Sequence, residues 1–432
     1  MTVTAIGAII LDHKTKGFPG GHAPLPLEAI GKQGWNVLAE DLPLPLMLLN
    51  RAALDHNSRW MHGFLAMTGA VVSPHGKTTM APQLFRRQIE AGAWAITVAT
   101  THQMQVARDF GHDRIVMANQ LVGKQAIRYV FDELKRAPNL DFYCLIDSVE
   151  NVTLLADAAR AAKIGRPLQL LLEGGMKGAR TGCRDVAGAL AVAGAVKAAE
   201  PYLALRGVEG FEGLVWGPDP NASSVKVQAF LDFLVEIAGA VDRDKLFAPG
   251  EVILSAGGSG FYDLVVKTFK TNQLGGPVRV LTRSGCYLTH DSVMYRDRFA
   301  VLRQRSPEVD GLGAPPRPAI EVWAYVQSRP EPHQTIVTMG KRDIPFDPDA
   351  PVALKWHRPG AKGAPQPLSL EHVVTGLNDQ HGYMTVPANT PLRVGDMVAF
   401  GISHPCLAFD KWQVIPVVDD AYNVVDAVKT YF

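Results

Sequence analysis

The sequence predicts a (β/α)8 barrel, the TIM-barrel fold, followed by a second and mainly β domain. From about residue 49 to residue 291, short apolar segments alternate with amphipathic helical segments, as a barrel of parallel strands requires. After residue 291 proline and glycine become frequent, helical periodicity fades and short β-like runs take over. Residues 1–48 are rich in glycine and proline, and we expect an arm and a strand that packs with the β domain. The predicted domains are therefore 1–48, 49–291 and 292–432.

The composition is that of an ordinary globular protein, and it narrows the classes of function. The 432 residues, 47% of them hydrophobic, suffice for two or three domains with full cores. A formal net charge of +1 gives no reason to expect binding to nucleic acid or to an anionic membrane. No apolar run approaches the ~20 residues of a membrane span, and the first residues lack the basic region of a signal peptide. The four cysteines show no CxxC spacing, which predicts a protein of the reducing cytoplasm without a disulfide framework.

The predicted barrel strands are short apolar runs between helical patterns. They are Ala70–Ser73, Trp94–Ala99, Arg114–Ala118, Asp141–Ile146, Leu168–Glu173, Gly207–Gly213, Val252–Ser255 and Val278–Thr282. The clearest helices between them are Lys124–Arg136, Val149–Lys163, Asp185–Ala199, Ser223–Ala240 and Gly260–Thr271. Another helix precedes the first strand, with Asn50 as its N-cap and an end near Met67. A doubly wound open sheet is the alternative, but the strand count reaches eight and the glycine-rich turn comes late, which favours the barrel.

The second domain is predicted from β-like runs on both sides of the barrel. These are Leu44–Leu49 before it and Ala319–Val326, Thr335–Met339, Met397–Gly401 and Gln413–Val418 after it. The segment Tyr422–Thr430 is expected to form a short closing helix. The sequence therefore predicts a barrel with an attached β domain, and not two domains of equal size.

Lys77 is the first candidate for chemistry. It stands in Pro74-His75-Gly76-Lys77-Thr78, directly after the first predicted strand, at the end of the barrel where enzymes of this architecture keep their active sites. A lysine amine forms a Schiff base with an aldehyde only when it is neutral, so partial burial at a strand end suits that role. The structural alternative is a solvated surface amine.

A glycine-rich turn, Ser255-Ala256-Gly257-Gly258-Ser259-Gly260, follows the seventh predicted strand and opens a helix. Glycines let backbone N–H groups approach a phosphate closely, and barrel enzymes often bind phosphate in the loops after strands seven and eight. The alternative is a flexible turn. Arg180 and Tyr287 also lie beyond strand ends, where they suit either the functional rim or a salt bridge and a packed ring.

His404 and Cys406 form a candidate metal pair. Residues two apart in an extended segment point to the same face, so an imidazole and a thiolate can converge on one ion. Nitrogen and sulfur together suit zinc, and two protein ligands leave room for water or substrate. The alternative is a half-buried histidine beside an inert cysteine.

Together these residues resemble the fold-type III pyridoxal-phosphate enzymes, and among them the D-serine dehydratase and D-threonine aldolase group, with alanine racemase more distant. The resemblance spans the chain from about Leu44 to the C-terminus. It rests on five motifs in order: Pro-His-x-Lys-Thr at 74–78, Arg-Thr-Gly at 180–182, the glycine turn at 257–259, Gly-x-Tyr at 285–287 and His-x-Cys at 404–406. The chain departs from the family at Thr79, where a histidine often stands, and at Glu173-Gly174-Gly175, where Asp-x-Gly usually precedes the arginine.

The resemblance implies a cofactor and a metal. Lys77 would hold pyridoxal 5′-phosphate, and the residues around that cofactor would be His75, Arg180, Ser255, Gly257, Gly258, Ser259 and Tyr287. His404 and Cys406 would bind zinc or another divalent metal, since D-serine dehydratases use this pair whereas the aldolases carry an aspartate in place of the cysteine. Lys77, His404 and Cys406 would then be the catalytic residues.

The activity implied is the dehydration of a β-hydroxy D-amino acid, such as D-serine or D-threonine, to a 2-oxo acid and ammonia. The expected protein is a cytoplasmic homodimer that acts on a small amino acid. A metal-dependent D-threonine aldolase is one alternative, and a metal-only barrel enzyme is another. A non-catalytic pyridoxal-phosphate protein is a third, which the second domain argues against because carriers of this fold resemble the barrel alone.

Overall fold

The computed structural model describes residues 3–215 and 219–432 of the chain. The N-terminal arm contains a two-stranded antiparallel sheet of β1 (Ile10–Leu11) and β2 (Leu25–Pro26). The strand β3 (Leu46–Asn50) follows and joins the sheet of the second domain rather than the barrel. The arm is thereby tied to the C-terminal half of the protein.

The predicted barrel is confirmed. Among the described residues, eight parallel strands form one sheet in the order β4-β11-β10-β9-β8-β7-β6-β5. They are β4 (Val71–Val72), β5 (Ile96–Val98), β6 (Arg114–Gln120), β7 (Asp141–Ile146), β8 (Leu168–Gly174), β9 (Leu203–Gly210), β10 (Val252–Ala256) and β11 (Val278–Thr282). The sheet closes between β4 and β5, where Trp94 N–H donates to the Val72 carbonyl at 2.8 Å and Thr97 N–H donates to the Pro74 carbonyl at 2.9 Å. Closure removes the sheet edges and gathers the strand ends at one mouth.

Most helices surround this barrel, and the first one belongs to the N-terminal arm. They are α1 (Val3–Gly7), α2 (Arg51–Thr68), α3 (Pro82–Glu90), α4 (Thr101–Asp109), α5 (Lys124–Arg136), α6 (Val149–Ala162), α7 (Val186–Ala198), α8 (Pro220–Arg243), α9 (Tyr262–Lys270) and α10 (Met294–Arg305). The predicted cap of α2 is confirmed, because the Asn50 side chain accepts a hydrogen bond from Ala53 N–H at 2.8 Å. The helix ends at Gly69, whose φ of 65° lies in the left-handed region. No helix in the described ranges is both long and apolar enough to span a bilayer.

The interior of the barrel is filled by side chains from successive strands. Buried residues of this layer contact one another across the barrel: Ala95, Val116, Tyr143, Leu145, Leu171, Ile253 and Leu281. Each strand alternates between this layer and the surrounding helices, which follows from the two-residue period of a strand. A packed interior leaves the mouth as the place for a site.

The second domain is a mainly antiparallel sheet. Its further strands are β12 (Ile320–Glu331), β13 (Gln334–Val337), β14 (Val352–His357), β15 (Gln366–Pro367), β16 (Val373–Leu377), β17 (Gly382–Thr385), β18 (Met397–Gly401), β19 (Val414–Val418) and β20 (Val424–Lys429). The predicted helix at Tyr422–Thr430 is wrong, because β20 lies there and pairs with β19 along its length. Its three valines favour a strand, so the local sequence did carry a signal for the strand that pairs with β19.

Candidate active site

Lys77 lies at the mouth of the barrel, in a 3-10 turn (Gly76–Thr78) that follows β4. The turn packs closely because Gly76 and Gly285 carry no side chain. A Cβ at Gly76 would collide with Phe85, and one at Gly285 would collide with the backbone of His75. Gly285 therefore lets the loop after β11 approach the turn, and Gly76 lets α3 approach it.

A cavity of about 110 Å³ opens beside Lys77. Its lining is mostly polar and comes from the ends of several strands: His75, Lys77, Ala99, Ala118, Asn119, Glu173, Arg180, Glu209, Phe211, Gly257 and Arg283. The Arg180 guanidinium lies over the Phe211 ring, 4.4 Å from its centroid. The cavity thus combines one amine with several fixed charges, as the active sites of barrel enzymes do.

A buried ion pair forms one wall of this cavity. Arg283 pairs with Glu209 and also donates to the Gly210 carbonyl at 2.8 Å, and both charged side chains are almost fully buried. Burial raises the pKa of Glu209 to about 7, against the opposing pull of Arg283. The pair holds the two strand ends together.

His75 is neutral in this site. Burial lowers the pKa of its imidazole well below the ordinary value, and the positive charges of Lys77 and Arg283 lower it further. Its Nδ1 is buried and has no hydrogen-bond partner in the described part of the chain. A neutral imidazole with an unused nitrogen is suited to contact a bound aromatic or polar group.

The glycine turn after β10 binds an anionic group, and that group is a side chain of the protein itself. The N–H groups of Gly257 and Gly258 donate to the carboxylate oxygens of Glu212 at 3.1 and 2.5 Å. Glu212 is completely buried, and burial raises the pKa of its carboxyl. The two backbone N–H groups therefore have the geometry of an anion site, which is what a phosphate requires. The Glu212 carboxylate occupies the place that phosphate oxygens would take.

A cluster of side chains that could hold a metal ion lies next to the Lys77 turn. The ligand atoms of Cys286, His404 and Cys406 all lie within 4.8 Å of one another, and the two sulfurs are 3.6 Å apart. The Thr78 hydroxyl lies 3.4 Å from the Cys406 sulfur and 3.8 Å from the Cys286 sulfur. Lys77 and the cluster are therefore joined through adjacent residues of one turn.

The hydrogen bond between the two thiols of the cluster shifts their pKa values in opposite directions. The hydrogen bond with Cys286 lowers the pKa of Cys406, and the Thr78 hydroxyl and the charge of Lys77 act in the same direction. The pKa of Cys286 is raised, first by that same hydrogen bond and then by burial. A thiolate at Cys406 with a thiol at Cys286 beside it is a site poised to bind a metal ion.

The structure brings some of the predicted site residues together and separates others. Lys77, His75, Arg180 and Gly257 line one cavity, and His404 and Cys406 approach one another. Gly258 contacts Glu212.

The remaining predicted cofactor residues lie away from the Lys77 cavity. Ser255 lies within β10, and its buried hydroxyl has no partner among the described residues. Ser259 and Tyr287 line a separate cavity of about 20 Å³ that also contacts Cys286. The Tyr287 phenol is hydrogen-bonded to Gln88, and burial raises its pKa. Neither side chain reaches the Lys77 cavity, so their contact with a cofactor stays a prediction.

Sequence reasoning missed three residues of the site: Glu212, Arg283 and Cys286. Arg283 and Cys286 belong to the segment Arg283-Ser284-Gly285-Cys286-Tyr287, which was noted only for its glycine and tyrosine. Their position after a barrel strand was the available signal. Glu212 gave no signal, because its partners Gly257 and Gly258 lie 45 and 46 residues away.

Comparisons with known proteins agree with this architecture. The family model described as "Alanine racemase, N-terminal domain" matches residues 49–260, and the model described as "Putative serine dehydratase domain" matches residues 319–418. No curated protein matches the chain in sequence.

Solved structures match over almost the whole chain. A D-threonine aldolase from Filomicrobium marinum has 20% identity and a TM-score of 0.72, and the match covers 92% of this chain and 97% of that one. A D-threo-3-hydroxyaspartate dehydratase from Delftia sp. HT23 has 19% identity and a TM-score of 0.67, covering 92% and 99%; a metal-free form of a variant dehydratase of that name also matches. An alanine racemase-like protein from Idiomarina loihiensis has 14% identity and a TM-score of 0.67, covering 90% and 96%. At these identities the likeness establishes the fold.

Proposed function

We propose that this chain, which belongs to the fold-type III pyridoxal-phosphate proteins, is a metal-dependent lyase that converts a β-hydroxy D-amino acid such as D-serine or D-threonine to a 2-oxo acid and ammonia. The observation that carries the proposal is the position of Lys77 next to Thr78, whose hydroxyl lies 3.4 Å from the Cys406 sulfur. One turn thus carries an amine that borders the Lys77 cavity and a hydroxyl that contacts the cluster of Cys286, His404 and Cys406.

The residues of the mouth fit pyridoxal phosphate. Lys77 would bind its aldehyde, and the N–H groups of Gly257 and Gly258 would bind its phosphate once the Glu212 carboxylate moves away. A side chain at either glycine would collide with Arg283 or Glu212, so the turn is built for close approach of an anion to the backbone. When bound, the cofactor supplies an electron sink for the charge left at the substrate α-carbon.

Lys77 would take the α-proton of the substrate as general base. Its amine borders the cavity, while the neutral His75 beside it adds no positive charge to the mouth. The Glu209–Arg283 pair is buried and fixes the opposite wall of the cavity.

His404 and Cys406 would hold a divalent metal, and zinc is the ion we propose because nitrogen and sulfur ligands suit it. Bound there, the metal would polarise the β-hydroxyl and stabilise it as it leaves. By the family resemblance, Cys406 favours dehydration over aldol cleavage, because the aldolases carry an aspartate at this position.

The test is ammonia release from a panel of D- and L-β-hydroxy amino acids, with and without a chelator. We expect ammonia from a D-isomer only, and loss of the activity on chelation that zinc restores. Activity on L-isomers alone, or full activity after the metal is removed, would contradict the proposal.

The aldolase is the second candidate, favoured by the likeness to the Filomicrobium marinum enzyme. In that reaction a base removes the proton of the β-hydroxyl and the Cα–Cβ bond breaks, so D-threonine gives glycine and acetaldehyde. Dehydration gives 2-oxobutyrate and ammonia from the same substrate, and product analysis separates the two. A purified protein that binds pyridoxal phosphate but turns over neither substrate would instead be non-catalytic.

A further inference from the structure

We propose that Cys286 is a third metal ligand, so that Cys286, His404 and Cys406 form one site that binds a zinc-like ion through two sulfurs and one nitrogen. The inference rests on the proposed function only for the presence of a metal at His404 and Cys406. It adds a ligand from the loop after β11, which belongs to the barrel, to a pair that belongs to the second domain.

The distance between the sulfurs supports a shared ion. Two thiolates bound tetrahedrally at a Zn–S length of ~2.3 Å are about 3.8 Å apart. The sulfurs of Cys286 and Cys406 are 3.6 Å apart. A disulfide would require a separation of about 2.0 Å. The observed spacing is close to that of two ligands of one ion, and it also fits a thiol–thiol hydrogen bond.

His404 completes the set with a small adjustment. A zinc-bound sulfur and nitrogen lie about 3.6 Å apart, since Zn–N is ~2.0–2.1 Å. The three ligand atoms already lie within 4.8 Å of one another, so a shift of about 1 Å in the imidazole is sufficient. The Tyr295 ring packs edge-on against the His404 ring, with 6.2 Å between centroids, and limits the directions that the imidazole can take.

The surroundings of Cys286 are those of a ligand. Its side chain is buried beside Thr78, whose hydroxyl is close to both sulfurs, and outer hydrogen bonds of this kind orient ligands and tune the metal. Gly285 allows the close approach, because a Cβ there would collide with the His75 backbone and press on the Thr78 hydroxyl. The position of Cys286 is therefore determined by the same turn that carries Lys77.

A third ligand changes what the metal can do. Three protein ligands leave one open position on a tetrahedral ion, so a substrate would contact the metal through a single oxygen. Two thiolates and a neutral imidazole also cancel the charge of a divalent ion and favour zinc or cobalt over magnesium or manganese. The substrate carboxylate must then be bound by the protein and not by the metal.

The test uses the full chain after removal of metal, titrated with Co²⁺ and separately with Zn²⁺. Wild type is expected to bind one Co²⁺ with strong thiolate-to-cobalt charge-transfer absorption. In Cys286→Ser that absorption should fall to about half, because one of two thiolates is lost. The affinity for Co²⁺ should fall by more than ~10–100-fold, which is the typical effect of losing a group that contacts only a ligand and not the metal. Cys183→Ser, which removes another buried cysteine, is the matched control and should leave both unchanged.

A Cys286→Ser protein with the cobalt spectrum and affinity of wild type would overturn the proposal. The proposal would also be overturned if the wild-type protein bound no cobalt. The same holds if a thiol titration of the wild-type protein without reductant found two free thiols instead of four. The rise in melting temperature on Zn²⁺ addition gives a second readout, and it should be smaller in Cys286→Ala than in wild type. A three-ligand cobalt spectrum in a protein that releases no ammonia would support this inference while refuting the proposed function.

Discussion

Replacing Glu212 with glutamine should strengthen the binding of phosphate and of pyridoxal phosphate. The carboxylate accepts two backbone N–H bonds, from Gly257 and Gly258, and so occupies the donors that a phosphate would use. A phosphate must displace it, and its affinity is reduced by the free energy of that internal contact. Glutamine keeps the size of the side chain but removes its charge.

The magnitude follows from the two hydrogen bonds. Bonds to a charged group contribute about 1.5–3 kcal/mol each, and neutral ones about 0.5–1.5 kcal/mol. Glutamine has a single accepting oxygen, so one bond becomes neutral and the other is lost, which weakens the internal contact by at least about 2 kcal/mol, or at least about 30-fold in phosphate affinity. In the absence of phosphate the Glu212→Gln protein should be less stable to urea by a similar amount.

Isothermal titration with inorganic phosphate and then with pyridoxal phosphate measures the change. Glu133→Gln is the matched control, because Glu133 is a buried carboxylate that pairs with Arg108 and Arg136 far from the mouth. It should lower stability without changing phosphate affinity. If Glu212→Gln bound phosphate no more tightly than wild type, Glu212 would not occupy the phosphate position and the reasoning would fail.

Four further changes test other parts of the structure. Lys77→Ala should abolish the borohydride-stable adduct with pyridoxal phosphate seen by mass spectrometry and lower ammonia release by at least ~100-fold; an adduct at another lysine would contradict this. His404→Ala should keep that adduct and stop ammonia release, whereas unchanged release would exclude a metal role for this residue. Leu171→Ala should lower the free energy of unfolding in urea by about 2–5 kcal/mol because Leu171 is fully buried, and the exposed Leu154→Ala is its control. Burial lowers the pKa of His112 to about 4, below its unfolded value of 6.5, so stability is lost as pH falls between these values. His112→Gln should reduce the slope of the unfolding free energy against pH by up to about 1.4 kcal/mol per pH unit. Urea titrations at several pH values measure this slope. An unchanged slope would mean that other groups cause the loss of stability.

Local patterns were sufficient to predict most of the elements. Lys124–Arg136 forms a helix with the predicted bounds, and Asp141–Ile146 and Val278–Thr282 form strands with the predicted bounds. Each has a strong period and clear flanking residues, so local preference and tertiary packing agree. The end of the chain was predicted wrongly, since Tyr422–Thr430 was expected to be a helix and β20 pairs there with β19.

The candidate site was predictable to the extent that its residues follow barrel strands. Lys77, Arg180 and Gly257 were predicted from that position and line one cavity in the structure. The direction of a side chain after a strand depends on the path of its loop, which explains why Tyr287 lies against Gln88 and outside the Lys77 cavity.

The sequence by itself determined the order and type of most elements, the barrel with its second domain, and the short motifs at the strand ends. These features depend on the periodicity of apolar residues and on glycine, proline and capping residues, all of which act over a few neighbours. The tertiary structure decided which distant groups meet: Cys286 with Cys406, 120 residues apart, and Glu212 with the amides of Gly257 and Gly258. Such contacts depend on how closed strands align and how loops pack above them, and no local pattern encodes a distance between two loops.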